Sequence, residues 1–115
     1  MKKINKILVP TDFSEVASNA FRYAVWFADK HQAGIDLLHV IYPEAEPLDF
    51  PVVISQVTRK KVEVAEELMK TFVNTALAKV QAAHQLDQMP PMESEVQIGL
   101  PSMVVPEIAR RDQAD

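Results

Sequence analysis

Three residues in the first third of the chain carry groups that could do chemistry: the carboxylate of Asp12, the hydroxyl of Ser14 and the imidazole of His39. Together they suggest the Ser-His-Asp set used in acyl transfer. That chemistry needs a serine on a strained elbow such as G-x-S-x-G, together with an oxyanion hole. The chain has only two glycines, Gly34 and Gly99, and neither is near Ser14. A hydrogen-bonded structural histidine is the simpler reading of His39. Asp12 points elsewhere. It stands where a short apolar run gives way to a helix, so its carboxylate lies beside backbone N–H groups that can help hold a ligand. Aspartate is also among the best helix N-caps, and the two roles are compatible.

The remaining candidates are weaker. His31 and His84 fall near the ends of two helical stretches, where a cation meets the helix dipole favourably, and neither has metal-ligand spacing to another histidine or carboxylate. The run Asp87-Gln88-Met89-Pro90-Pro91-Met92 resembles the phospho-acceptor turn of two-component receiver domains. A receiver aspartate closes an apolar strand, however, whereas Asp87 follows a helical stretch and precedes a strand. The acidic pair that binds magnesium in receivers is reduced here to Asp12. Val64, Leu68 and Phe72 form a stripe that could dock a partner but at this spacing reads as core. Neither glycine has the neighbours of G-x-G-x-x-G or of a Walker A loop.

The elements that must position Asp12 follow from the apolar pattern. Ile4 to Val9 reads as a short buried strand closed by Pro10-Thr11-Asp12-Phe13-Ser14. Asp12 and Ser14 are candidate N-caps for a helix starting near Ser14. On it Ala17, Ala20, Phe21, Ala24, Val25 and Ala28 share one alanine-rich face, and Gly34 is placed to terminate it. Ile35 to Ile41 is almost continuously apolar, as expected of a parallel strand covered on both faces. Pro43 to Pro51 reads as an exposed loop that could border a site. From about Ser55 to His84 the pattern is helical. Glu95 to Ile98 then alternates like a strand, Gly99-Leu100-Pro101 breaks it, and Val104, Val105, Ile108 and Ala109 begin a third helix. The order β-α-β-α-β-α predicts a doubly wound α/β fold with a parallel sheet and right-handed crossovers. Ligands in such sheets bind at the carboxyl ends of the strands, here Pro10 to Ser14, Ile41 to Pro43 and Gly99 to Pro101.

Composition agrees with one globular domain spanning residues 1–115. The chain is 48% hydrophobic and 24% charged, and folding at this size buries roughly 65% of the unfolded surface. A net charge of −4 argues against nucleic acid as a partner. The absence of cysteine excludes a disulfide framework and a thiolate nucleophile, and fits the cytoplasm. No apolar run approaches the ~18 residues of a membrane span, and Ile7-Leu8-Val9 is too short for a signal sequence.

Lys6-Ile7-Leu8-Val9-Pro10-Thr11-Asp12-Phe13-Ser14 resembles the opening of universal stress proteins, as does the alanine-rich helix with Ala20 and Tyr23-Ala24. Gly34-Ile35-Asp36-Leu37-Leu38-His39-Val40-Ile41 is similar to the family's second strand. Gly99-Leu100-Pro101 with Ile108-Ala109 is similar to its third-strand exit and following helix. The resemblance covers essentially the whole chain. It implies an adenine nucleotide alpha hydrolase-like fold, here as three β-α units, that binds ATP in stress response, with magnesium accompanying the phosphates. Carried over by motif, Pro10, Thr11 and Asp12 meet the nucleoside and the Val40 backbone meets adenine. The family's glycine-rich phosphate loop would begin beyond Ala114-Asp115, and the fifth strand, through which many members dimerise, lies later still. The resemblance therefore leads us to expect a fragment of a longer protein, half of a tandem pair, or a chain that self-associates through an open edge at Ile7 to Val9. It implies no catalysis beyond slow ATP hydrolysis in a complete domain. The alternative is a dimerisation or interaction module that binds no nucleotide.

Overall fold

In the computed structural model, residues 4–42, 51–83, 86 and 88–114 are described. The elements are β1 (Lys6–Pro10), α1 (Glu15–His31), β2 (Gly34–Ile41), α2 (Pro51–Ala83), β3 (Met92–Ile98) and α3 (Pro101–Asp112). They form the expected α/β architecture, a three-stranded parallel sheet of order β1-β2-β3 flanked by helices. In register, Val9 lies beside Leu37, and Leu38 beside Glu95.

Side-chain alternation along β2 divides the core. Ile35 and Leu37 face α1 and α2, where they pack with Val9, Phe21, Val25, Ala28, Met69, Phe72, Ala76 and Val80. Asp36 and Leu38 face the opposite side, where α3 contributes the buried Ile108. Both faces of the middle strand are thus covered, which explains its nearly unbroken apolar run. Phe21 is fully buried, and truncating it to alanine would cost about 3–5 kcal/mol.

Several boundaries differ from the sequence reading. β1 runs to Pro10 because the Thr11 amide extends the ladder by donating to the Leu38 carbonyl at 2.8 Å. Ser14, not Asp12, caps α1 by accepting from the Ala17 amide at 3.1 Å. Gly34 does not terminate α1. The left-handed C-cap is Gln32, whose amide donates to the Ala28 and Asp29 carbonyls, and Gly34 opens β2. A Cβ on Gly34 would lie 3.4 Å from the Pro91 carbonyl oxygen, an ordinary contact. α2 begins at Pro51, a residue suited to a first helical turn, and positions 43–50 of the expected loop lie outside the described residues. β3 begins at Met92 and α3 at Pro101, both earlier than the pattern suggested.

The Val64-Leu68-Phe72 stripe is not a core stripe. Only Phe72 is buried, while Val64 and Leu68 are about half exposed. Each i, i+4 step rotates about 40° around a helix, so the stripe rolls away from the sheet. The buried set Ala65, Met69, Phe72, Ala76 and Val80 mixes steps of three and four and stays on one side.

Candidate functional site

The carboxyl ends of β1 and β2 open into a cleft of about 680 Å³ whose walls include Pro10, Thr11, Asp12, Leu38, Val40 and Pro101. All four residues singled out for binding, Pro10, Thr11, Asp12 and Val40, therefore border one space. Local hydrogen bonds shape its floor. The Thr11 hydroxyl oxygen accepts from the Phe13 amide at 3.0 Å, and an Asp12 carboxylate oxygen accepts from the Ser14 amide at 2.9 Å. These short-range bonds hold Phe13 in the left-handed region at φ 65°, turning the chain sharply from strand to helix.

Asp12 is exposed at the mouth of the cleft. Hydrogen bonds from Ser14, chiefly its side chain and then its amide, hold the Asp12 carboxyl below its usual range, so it is anionic at neutral pH. An anionic carboxylate only accepts hydrogen bonds, which suits ligand hydroxyl or amino groups.

Asp12, Ser14 and His39 do not form a Ser-His-Asp triad. His39 Nδ1 lies 2.8 Å from the Thr11 carbonyl oxygen and its ring packs, tilted by 36°, against Phe13 at a centroid distance of 4.3 Å, so it braces the β1 exit. Ser14 Oγ is used as the helix cap and Asp12 is bonded to Ser14 rather than to the imidazole. His31 packs against Phe27 with the rings tilted by 35° and their centroids 4.2 Å apart. His84 and Asp87 lie outside the described residues.

The sequence reading missed Val105, which lines the cleft one turn into α3, and Ala17 and Ala20, which line it from α1. The alanines were legible as small residues, but their place on the cleft wall depends on where α3 docks. A second cavity of about 400 Å³ opens at the same end, bounded by Phe13, His39, Tyr42, Lys60, Val64 and Leu68.

The family model for the universal stress protein family matches residues 3–115. This chain belongs to the universal stress protein family. Its fold is shared with solved members. UspA from Lactobacillus plantarum is 24% identical with a TM-score of 0.74, the match covering 98% of this chain and 73% of that one. A universal stress protein solved in complex with cAMP is 17% identical with a TM-score of 0.64, covering 99% and 70%. A family member from Burkholderia pseudomallei is 19% identical with a TM-score of 0.64, covering 99% and 79%. A sequence search against curated proteins returned no match. No helix among the described residues is long and apolar enough to cross a membrane.

Proposed function

We propose that this universal stress protein domain binds the adenosine moiety of an adenine nucleotide in the cleft bordered by Asp12 and Val40, in a stress-response role in the cytoplasm. The observation that carries the reading is that Pro10, Thr11, Asp12 and Val40, which lie in two separate strand exits, border the same cleft. Its volume is in the range of small-molecule sites, and its walls are mostly apolar with a few polar groups at the rim. The backbone of Val40 can meet a base edge while the Asp12 carboxylate accepts from ribose hydroxyls. The relative solved with cAMP supports a ligand containing adenosine. ATP, with magnesium on its phosphates, is the ligand the family resemblance implies. Binding rather than catalysis is the assigned role, because Ser14 and His39 are committed to structural bonds.

A second reading rests on the position of β1. It is an edge strand in the order β1-β2-β3, and such an edge can pair with another chain in a dimerisation module that needs no nucleotide.

Thermal unfolding with ATP and magnesium, and with adenosine alone, separates the two. A ligand at about 100 times its Kd stabilises the folded chain by roughly 2.7 kcal/mol. A saturable rise in Tm whose apparent Kd is weakened about tenfold or more by Asp12→Ala supports nucleoside binding, because the charge-assisted hydrogen bonds of the carboxylate are lost. No rise with either ligand, together with concentration-dependent dimerisation, supports the interaction module.

A further inference from the structure

At the opposite end of the sheet from the cleft, three carboxyls converge beneath the last turn of α3. Asp36 of β2, Glu95 of β3 and Asp112 of α3 each bring an oxygen within 4.8 Å of the others. Asp36 is fully buried, and the Asp112 side chain is only 7% exposed.

Among the described residues, two cations reach this cluster. Arg111 of α3 holds both oxygens of Glu95, at 2.6 and 3.2 Å, and also donates to Asp36 Oδ2 at 3.3 Å and to Asp112 Oδ1 at 3.1 Å. Lys6 of β1 lies 4.0 Å from Asp112 Oδ1 but 3.4 Å from the exposed Glu93 of β3, which shares its charge. α1 and α2 pack on the other face of the sheet. Among the described residues, four carboxyls therefore meet two cations, and the shortfall falls on the most buried members.

Two oxygens in the cluster, Asp36 Oδ1 and Asp112 Oδ2, are buried without a hydrogen-bond partner. Two ionised carboxylates cannot satisfy each other, since both only accept. Burying them unpaired is strongly unfavourable. A divalent ion is a poor solution, because the guanidinium engages both oxygens of Glu95, whereas hard cations seek six or more ligands. A proton needs only the two orphaned oxygens.

We propose that Asp36 and Asp112 share a single proton at neutral pH, and that this proton fastens the last turn of α3 to the middle strand. The proton resides on Asp36, the more buried of the two, and donates to the Asp112 carboxylate. Burial, followed by the neighbouring Asp112 and Glu95, pushes the Asp36 carboxyl up to about 8, in keeping with this assignment. Losing the proton leaves two adjacent buried anions and loosens the helix end. α3 also walls the cleft through Pro101 and Val105, so its docking becomes pH-sensitive in mild alkali.

The test is carbon-13 NMR of aspartate carboxyls in the whole chain, titrated from pH 3 to 10. We expect the Asp36 carboxyl carbon to stay protonated at pH 7 and titrate near pH 8, with the Ala109 to Gln113 amides moving at the same midpoint. In Asp36→Asn the side-chain amide replaces the proton as donor, so the alkaline step in those amides should vanish while the fold remains. If that variant does not fold, the wild-type titration alone decides. An Asp36 carbon titrating with the exposed carboxylates overturns the proposal. So does one that is ionised at pH 7 and shifts on adding magnesium or calcium, which would assign the cluster to a metal.

Discussion

His39 Nδ1 donates to the Thr11 carbonyl across 2.8 Å, joining the middle of β2 to the residue that follows β1. A carbonyl can only accept, so the bond places the proton on Nδ1 and fixes the ring tautomer. Thr11 is itself bound to Leu38 through its amide, so the β1 exit is held by β2 at two successive points.

Removing this brace should weaken the fold. His39→Ala is expected to destabilise the domain by about 1–3 kcal/mol, combining a lost hydrogen bond with a lost ring contact to Phe13. Urea denaturation measures it. An unchanged midpoint would show that the imidazole is not structural.

Gly99 ends β3 at φ 150°, a conformation that side chains rarely adopt, and a Cβ there would come within 2.7 Å of Val104 Cγ2. Gly99→Ala should cost about 1–3 kcal/mol through backbone strain and displacement of the first turns of α3. Because α3 walls the cleft, ligand affinity should fall with stability. A variant as stable as the parent would show that the β3 exit relaxes freely.

Stability should vary with pH in a way set by the carboxyls under α3. The Asp36 carboxyl is raised from 3.8 to about 8, first by burial and then by Asp112 and Glu95. Between those values the folded chain keeps a proton that the unfolded chain has released. Stability therefore falls as pH rises through that window and levels off above it. Glu95 acts oppositely. Arg111 above all holds it down from 4.5 to about 2, so its contribution is present above 4.5 and is lost as pH falls toward 2. Urea midpoints should therefore be highest in mild acid and decline toward pH 8. A steady rise from pH 5 to 9 would contradict these assignments.

The order of elements and the first-strand exit were legible because they rest on local chemistry. Apolar runs bounded by proline and glycine mark strands, and Asp12 beside Ser14 marks the turn into α1. What was not legible depended on tertiary placement. Gln32 took the left-handed cap although Gly34 lay two residues on, because the chain turns at Gln32 and Gly34 already belongs to β2. The Val64-Leu68-Phe72 stripe misled because sequence spacing gives a helical face but not which part of it meets the sheet. Asp36 offered no signal in the apolar run Ile35 to Ile41, since its partners Glu95, Arg111 and Asp112 are distant in sequence and meet only when α3 docks.

The central claim is that adenosine sits in the cleft at the β1 and β2 exits, and a backbone amide NMR titration with ATP and magnesium tests it most directly. We expect saturable shifts centred on Thr11, Asp12, Val40 and Val105, greatly weakened in Asp12→Ala. Shifts confined to the second cavity, around Tyr42, Lys60 and Leu68, or no shifts at millimolar nucleotide, would contradict it.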